Sequence, residues 1–376
     1  GLANYHFVSL TCTGAASERI TITGDTAKID LRSGEDVVCT YTNARNLGKL
    51  IIEKEVINDN GGSKKATDFS FQIDSEDAIL FTQNGDDELK GRNEYTRYAG
   101  LSYTITEPEA NQDGYTTTYS NCEDIVVPHN GEVICKITNN DVAPTLTVIK
   151  NVVNDNGGTA KINDFGIKLN DNLISFGEGV VEGTTTTYTS TPTVVSNTQY
   201  SLSEEDLAGY AEGTWSCVEN LATVQKPIAM PFTLTEGQNV TCTVTNNDIA
   251  PSLQLVKVVN NSFGGNAQET DWTLTATGPT TITGDGGFTS GDKFKAGTYT
   301  LSEAVKAGTT LSGYRASDWS CTNNIAVNEN NQITLGLNPV SYTHLRAHET
   351  VLDLVCRLLL EKKKKNKTKT CRLGRI

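Results

Sequence analysis

The sequence predicts an all-β protein built from tandem antiparallel β-sandwich modules, on three observations. Short runs of Thr, Val, Ile and Tyr alternate with polar residues, and clusters of Gly, Asn, Asp and Pro separate these runs. No long stretch before the C-terminal tail keeps the 3.6-residue period of a helix. A set of landmarks recurs after 96 and then 107 residues. Repeats of about 100 residues with this pattern are typical of two-sheet, immunoglobulin-like sandwiches.

Each copy of the repeat opens with a Lys-bearing apolar strand, followed by a Gly-Gly turn and an Asp-aromatic pair. Further on, each copy has an aromatic-x-aliphatic-x-Glu strand followed by a Gly-Tyr pair. The first group is Lys54, Gly61-Gly62 and Asp68-Phe69, then Lys150, Gly157-Gly158 and Asp164-Phe165, then Lys257, Gly264-Gly265 and Asp271-Trp272. The second group has its Glu and Tyr at Glu107 and Tyr115, Glu204 and Tyr210, and Glu303 and Tyr314. The functional unit is therefore expected to be one module, repeated in tandem.

Short links that end in proline, at residues 139–144 and 246–251, separate the copies. Links this short limit hinge freedom, so neighbouring modules of the same chain are expected to contact each other end to end. The predicted segments are the C-terminal part of a truncated module (1–47), two complete modules (48–142 and 145–249), a module lacking its last strand (252–339) and a tail (340–376).

The chain is expected to begin within a repeat. Cys39 and Asn43 parallel Cys242 and Asn246, which lie near the end of the second complete module. The residues after Gly1 have neither the basic nor the apolar region of a signal peptide, so any signal peptide is expected upstream.

The tail differs from the rest of the chain in composition, because it is aliphatic and basic. Back-translated, residues 340–350 resemble a transposase-type sequencing adapter, and residues 353–361 resemble the flow-cell end of that adapter. Residues 340–376 are therefore predicted to be non-native and to lie apart from the sandwich, as a lone helix, because Leu, Glu and Lys are good helix formers. The alternative is a basic amphipathic helix for a membrane or a nucleic acid.

Net charge narrows the possible partners. The tail holds ten of the 31 Lys and Arg residues and three of the 45 Asp and Glu residues, so residues 1–339 carry a formal charge of −21. This charge argues against a nucleic acid or an anionic membrane as partner. Before the tail, histidine occurs only at His6 and His129, and no apolar run is long enough for a membrane span.

The cysteines follow the repeat. Neighbouring antiparallel strands place Cα atoms about 4.5–5.5 Å apart, which is within disulfide range. Zinc-site spacings such as Cys-x2-Cys are absent, and the alternative is a pair of reduced buried thiols. Disulfides are predicted within each module, which implies an oxidising, extracellular location. The predicted pairs are Cys12 with Cys39, Cys122 with Cys135, and Cys217 with Cys242, while Cys321 is left alone.

Strand alternation places one Lys, one Glu and one Asn of each complete module on an inward face. Unpaired buried charge is costly, so the three side chains are predicted to be in mutual contact. The alternative is an ordinary polar cluster, with the Lys snorkelling at the sheet edge and the Asn finishing a turn. The residues are Lys54, Glu107 and Asn139, then Lys150, Glu204 and Asn246, with Lys257 and Glu303 in the third copy.

At these residues the chain resembles the prealbumin-like surface domains of bacterial pilins and of collagen-adhesin B-type stalks. The Glu-bearing strand with its Gly-Tyr resembles that family's E-box, and the Lys and Asn fall where the family places its isopeptide partners. The resemblance covers residues 48–338, and residues 1–47 as a fragment. It implies that the Lys amine attacks the Asn carboxamide, that ammonia leaves and that the Glu shuttles protons. Such a reaction is a single turnover and not an enzyme activity on a substrate.

Two Asn- and Asp-rich loops, residues 58–62 and 154–158, resemble the start of a calcium-binding loop. Neither has the later Glu at the required spacing, and the third copy lacks the Asp. Turn chemistry explains their Gly and Asn content. Neither a metal nor another cofactor is expected.

Three classes of function follow. A structural stalk of an extracellular surface protein accounts for the repeats, the cross-linking residues, the acidity and the few histidines. A ligand-binding adhesin is the alternative, but the variable segments 75–93 and 170–183 contain no aromatic cluster that marks a site, and the sequence identifies no host or cell-surface ligand. A secreted enzyme is the third, and no Ser-His-Asp, Cys-His or metal constellation stands out.

Overall fold

The computed structural model describes residues 4–262, 264–321 and 325–337, together with the backbone strand 355–362. In these residues the regular elements are strands and short 3₁₀ turns, which confirms the all-β fold class. The turns are Ser17–Arg19, Ala66–Asp68, Ile162–Asp164 and Glu269–Asp271. The chain forms two compact units: the first is Gly1–Thr145, Thr193–Tyr200 and Phe232–Asn239, and the second is Leu146–Pro192, Ser201–Pro231 and Val240–Ile376.

The N-terminal fragment belongs to the first unit and consists of two strand pairs. β1 and β4 pair in antiparallel fashion with Cys12 opposite Cys39, and β2 and β3 form a hairpin. The strands are β1 (Tyr5–Thr13), β2 (Ile20–Thr23), β3 (Thr26–Ile29) and β4 (Val38–Arg45).

The first complete module also belongs to the first unit. Its strands are β5 (Leu47–Ile57), β6 (Ser70–Ile73), β7 (Ile79–Leu80), β8 (Gln83–Asn84), β9 (Asp87–Tyr98), β10 (Ser102–Tyr103), β11 (Ile105–Thr106), β12 (Tyr115–Ser120), β13 (Ile125–Val126) and β14 (Glu132–Asp141). The main sheet has the order β12-β14-β5-β9-β8, and smaller sheets join β11-β6-β7 and β10-β13. Alternate residues of β5, β6 and β14, such as Ile52, Phe71 and Ile137, form the core.

One pairing in this module departs from a wholly antiparallel sandwich. The first strand, β5, and the last strand, β14, lie side by side and parallel, with Lys54 opposite Ile137 and Val56 opposite Asn139. Parallel neighbours need a crossover connection, and the whole module between the two strands provides it. The parallel register brings the first and last strands of the module into direct contact.

The second complete module has β15 (Thr145–Val153), β16 (Lys168–Leu169), β17 (Asn172–Leu173), β18 (Val180–Glu182), β19 (Thr185–Ser190), β20 (Gln199–Tyr200), β21 (Leu202–Ser203), β22 (Tyr210–Glu212), β23 (Ser216–Asn220), β24 (Gln225–Ile228), β25 (Phe232–Thr233) and β26 (Asn239–Asp248). The main sheet of the second unit has the order β18-β19-β15-β26-β23-β24, and β22 also pairs with β26. Its core includes Val152, Phe165 and Tyr188. The β20–β25 pair lies in the first unit.

The third copy forms two four-stranded sheets within the second unit, with the orders β30-β27-β34-β32 and β29-β28-β31-β33. Leu255, Leu274 and Leu301 lie in the core between them. The strands are β27 (Gln254–Asn260), β28 (Trp272–Thr277), β29 (Ile282–Asp285), β30 (Gly287–Thr289), β31 (Gly297–Val305), β32 (Tyr314–Cys321), β33 (Gln332–Leu335) and β34 (Val355–Lys362).

The expectation that the tail lies apart from the sandwich as a lone helix is wrong for residues 355–362. This segment is strand β34, which is parallel to β27 and antiparallel to β32. Without it, β27 and β32 would leave unpaired N–H and C=O groups along facing edges, and these open edges outweigh the helix propensity of Leu and Lys. The other residues of the tail, 340–354 and 363–376, lie outside the described residues. Their adapter origin stays a prediction.

Candidate functional site

Each complete module contains a buried cluster of one Lys, one Glu and one Asn, named here the Lys–Glu–Asn cluster. In the first, Lys54 comes from β5, Asn139 from the parallel neighbour β14, and Glu107 directly follows β11. These residues are 2%, 2% and 6% exposed. The structure therefore brings the three predicted residues together, on the inward face that strand alternation predicted.

The carboxylate of the first cluster spans the amine and the carboxamide. Lys54 Nζ donates to Glu107 Oε1 and to Asn139 Oδ1. Asn139 Nδ2 donates to Glu107 Oε2 at 3.0 Å. Thr117 Oγ1 donates to the same carboxylate oxygen at 3.2 Å and accepts from Asn139 Nδ2 at 3.1 Å. One carboxylate oxygen thus contacts the amine, and the other contacts the amide nitrogen.

In each of the three copies, an aromatic ring covers the buried Lys of the first strand. Lys54 Nζ lies 4.0 Å from the centroid of the Phe69 ring. The corresponding distances are 4.2 Å from Lys150 to Phe165 and 4.5 Å from Lys257 to Trp272. The Asp before each aromatic residue closes a 3₁₀ turn by accepting a backbone N–H at 2.8 Å in all three copies. The Asp-aromatic landmark therefore places a ring over the amine, where it excludes water and interacts with the cation.

Burial changes the protonation of these amines. Desolvation lowers the pKa of Lys54 to about 8, although the hydrogen bond and the charge of Glu107 oppose this shift. Burial likewise lowers the pKa of Lys150 and of Lys257, against the opposing effect of Glu204 and Glu303. A Lys with a pKa near 8 has a substantial neutral fraction near physiological pH, and the neutral amine is the nucleophilic form.

The second cluster has the same three residues and a different neighbour. Lys150 Nζ donates to Glu204 and to Asn246. Glu212 is opposite Asn246 on the neighbouring strand, where the first module has Thr117 opposite Asn139. Burial, followed by the charges of Glu204 and Asp206, raises the pKa of Glu212. In the described part of the chain, Glu204 Oε1 is buried without a hydrogen-bond partner.

The third copy has the Lys and the Glu without the Asn. Lys257 Nζ donates to Glu303 at 2.7 Å. The backbone register of β34 places Leu360 opposite Val259, which is the position that Asn139 has in the first module. A strand therefore closes this sheet, but its sequence has no carboxamide at that position.

The three predicted disulfides are present. The S–S distances are 2.05 Å for Cys12–Cys39, 2.05 Å for Cys122–Cys135 and 2.06 Å for Cys217–Cys242. In β14 and β26, the Cys lies on the same buried face as the Asn of the cluster.

The expectation that Cys321 is alone is wrong. Cys321 is disulfide-bonded, and its backbone is opposite that of Cys356 in β34. Cys356 lies in the tail, which the sequence predicts to be separate, so sequence reasoning gives Cys321 no partner there.

Sequence reasoning also missed two buried carboxylates. Asp141 and Asp248 are 3% and 2% exposed. Asp141 accepts backbone N–H groups from Asp59, Asn60 and Gly62 at 2.7–3.2 Å. Thus the loop that resembles the start of a calcium site folds around a carboxylate of its own module. The repeated Asn-Asn-Asp at the end of the last strand was the available signal, because alternation places its Asp on the same face as its first Asn.

The two positions of the Gly-Gly turn require glycine for different reasons. Gly61 has φ of +91°, a left-handed conformation that favours glycine. Gly62 has no room for a side chain, because a Cβ would lie 2.4 Å from Tyr115 Oη and 2.8 Å from Asp141 Oδ2. Tyr115 Oη donates to Asn58 at 2.7 Å and accepts from the backbone N–H of Lys64 at 3.3 Å. The Gly-Gly and Gly-Tyr landmarks therefore meet at this loop.

The described residues contain no group of three His, Cys, Asp or Glu side chains placed to hold a metal ion. Among the same residues, none of the helical segments is long and apolar enough to span a membrane.

The family model described as the prealbumin-like fold domain matches residues 46–139, 141–244 and 248–340 of the chain. A second model with the same description matches residues 1–45. A search of curated protein sequences finds none that matches.

Several solved structures are similar to the chain. The TIE protein of Bacillus anthracis is 16% identical with a TM-score of 0.43, over 96% of this chain and 59% of that one. The major pilin of Streptococcus pyogenes is 17% identical with a TM-score of 0.27, over 54% of this chain and 98% of that one. Two B repeat units of the collagen binding protein of Staphylococcus aureus are 14% identical with a TM-score of 0.27, over 92% and 81%. At these scores the likenesses carry no argument about function.

Proposed function

Because the chain belongs to the family of prealbumin-like fold domains, we propose that it forms structural repeats in the stalk of an extracellular surface protein. Disulfides and Lys–Asn isopeptide bonds stabilise its modules in this proposal. The observation that carries it is the Lys–Glu–Asn cluster, which recurs in both complete modules with the same contacts from Lys to Glu and Asn.

The contacts in the first cluster fit an intramolecular amide exchange. The neutral amine of Lys54 attacks Cγ of Asn139, so that an Nζ–Cγ bond forms and the Cγ–Nδ2 bond breaks. The carboxyl group of Glu107 accepts a proton from the amine and gives a proton to the leaving nitrogen, and ammonia departs. Both oxygens already face the atoms that they serve.

Burial favours a structural role over action on an external molecule. The side chains of Lys54 and Glu107 are 0% and 3% exposed, and those of Lys150 and Glu204 are 0% and 1% exposed. A ligand or a substrate of an enzyme cannot reach these groups without unfolding the module. Disulfides persist in oxidising compartments, and the two in the complete modules therefore favour a location at the cell surface.

Intact mass tests the bond. After reduction of the disulfides, the chain is expected to be lighter than its sequence by two ammonia molecules, one for each complete module. Glu107→Gln and Glu204→Gln should each restore one ammonia, because the isosteric amide cannot relay the proton. Glu303→Gln is the matched control and should change nothing, since the third copy lacks the Asn. A chain with its full sequence mass would leave a polar cluster and remove the isopeptide bond from the proposal.

The adhesin alternative is tested separately. The full chain is applied to arrays of glycans and extracellular-matrix proteins, and a stalk is expected to give no saturable binding. Saturable binding that survives Glu107→Gln and Glu204→Gln would favour the adhesin.

A further inference from the structure

In each complete module, one loop folds around a buried Asp: residues 58–62 around Asp141, and residues 154–158 around Asp248. This loop contacts the repeat that follows its module. In the first unit, the carbonyl oxygen of Asn60 accepts from Ser196 N at 2.9 Å and from Ser196 Oγ at 2.8 Å. The carbonyl oxygen of Gly61 accepts from Asn197 Nδ2 at 2.9 Å. Ser196 is only 2% exposed. The loop in the repeat matched over 46–139 is therefore an acceptor surface for the repeat matched over 141–244.

The same arrangement recurs within the second unit. The carbonyl oxygen of Asn156 accepts from Ala296 N at 2.7 Å. Asn156 Nδ2 donates to the carbonyl oxygens of Asp292 at 2.9 Å and Phe294 at 3.3 Å. Ser196 and Ala296 occupy comparable positions, since they precede Tyr200 and Tyr299 of the Glu-bearing strand by four and three residues.

The carboxylates explain why the loop carbonyls are available. Asp248 accepts from Asp155 N at 3.0 Å, Asn156 N at 2.9 Å and Gly158 N at 2.6 Å, as Asp141 does in the first module. With its N–H groups held on a buried carboxylate, the loop presents the carbonyl of its central Asn to the neighbouring repeat. A carboxylate that accepts several backbone N–H bonds fixes a loop strongly, because each bond is charge-assisted.

We propose that Asp141 and Asp248 are positioning residues for the joints between successive repeats. Each carboxylate fixes the conformation of its loop, and the loop carbonyl then forms a binding site, named here the seat. The seat accepts a hydrogen bond from a backbone N–H of the next repeat, at the corner that precedes its Glu-bearing strand. The partner of each seat is a further repeat of the same family. The short Pro-ended link then supplies connection, and the seat supplies orientation.

Hydrogen exchange of the full chain at single-amide resolution tests the joints one at a time. Asp141→Asn is expected to speed exchange at the Ser196 amide tenfold or more and to leave the Ala296 amide unchanged. Asp248→Asn should have the reverse effect, so each joint is the control for the other. The core amide of Ile137 should stay protected in Asp141→Asn, because a loosened joint does not unfold the module.

A glycine series separates the seat from backbone strain. A Cβ at Gly61 would lie 2.6 Å from the Ser196 carbonyl oxygen, whereas a Cβ at Gly264 meets no atom of the described residues within 4 Å. Both residues have a left-handed φ, of +91° and +87°. Gly61→Ala should expose the Ser196 amide, and Gly264→Ala should leave it protected. Unchanged protection of Ser196 in Asp141→Asn, or loss of protection at Ile137 together with Ser196, overturns the proposal.

Discussion

The two complete modules have the same Lys, Glu and Asn but differ in the residue that faces the Asn from the neighbouring strand. Thr117 donates to Glu107 and accepts from Asn139, so every polar atom of that carboxylate has a partner. Glu212 stands in the same register position of the second module, beside a Glu204 that has one unpartnered oxygen in the described chain. The comparison shows that the two complete modules share the three central groups while the electrostatic surroundings of these groups differ.

The joints differ in a parallel way. Asn60 keeps its side chain within its own module, where Nδ2 donates to Asp59 at 2.7 Å and to Asp141 at 3.1 Å. Asn156 instead turns its amide toward the following repeat. Asp155 is left beside Asp248, and burial followed by that hydrogen-bonded neighbour raises the pKa of Asp155. The side-chain amide of Asn156 therefore donates to the next repeat, whereas that of Asn60 donates to the carboxylates of its own module.

Removal of the amine should have the largest effect and should separate the modules. Lys54→Met and Lys150→Met leave a buried carboxylate without its cation, which costs about 3–5 kcal/mol of unfolding free energy. The loss should be larger in the second module, because Glu107 keeps Asn139 and Thr117 as donors. Urea unfolding followed by hydrogen exchange in each module measures both losses.

The control is the apolar replacement of the pair, Lys54→Met with Glu107→Leu, which should recover the part of the loss that comes from buried charge and not the part that comes from the missing cross-link. Equal losses of unfolding free energy in the two modules would show that the neighbouring donors do not stabilise the carboxylate of Glu107.

Removal of the disulfides should have a smaller effect with a defined order. Cys122 and Cys135 are 13 residues apart, whereas Cys217 and Cys242 are 25 apart. By loop-closure entropy, replacing both cysteines with Ala costs about 3 kcal/mol in the first module and about half a kcal/mol more in the second. Thermal unfolding of the two double variants measures the difference, and the opposite order would show that native-state packing outweighs the entropy of the unfolded chain.

Exchange of Thr117 and Glu212, which face the Asn of each cluster, should have the smallest effect. It should shift the pH dependence of ammonia loss. The charge of Glu212 raises the pKa of Lys150 against its burial. Glu212→Thr should therefore let ammonia loss in the second module proceed at lower pH, and Thr117→Glu should move the first module to higher pH. The rate is followed by intact mass as unfolded chain refolds between pH 6 and pH 9. In the unaltered first module it should rise toward about pH 8, where half of Lys54 is neutral. Identical profiles before and after exchange would show that Glu212 does not act on the amine.

Most of the fold and of the central site was predictable from the chain, because both depend on alternation. Period-two patterning gives the inward face directly, and the recurrence of Lys54, Glu107 and Asn139 in the second module marks that face as special. The cysteine pairs follow from the same repetition.

Other features depend on pairing, which alternation does not specify. The parallel contact of β5 with β14 depends on which edges remain open after the module has folded. Strand β34 likewise forms where β27 and β32 offer two unpaired edges, although its composition favours a helix. The role of Asp141 required knowledge that the loop at residues 58–62 returns to the end of the last strand.

The parallel pairing of β5 and β14 has a mechanical consequence. Tension along the chain enters the first complete module at the N-terminal end of β5 and leaves at the C-terminal end of β14. Side by side and parallel, these strands are loaded in shear, so that all of their backbone hydrogen bonds resist at once and do not open one after another. A covalent tie from Lys54 to Asn139 would carry the pull directly from one strand to the other. The residues between them would then bear no load, and the module would transmit force without lengthening.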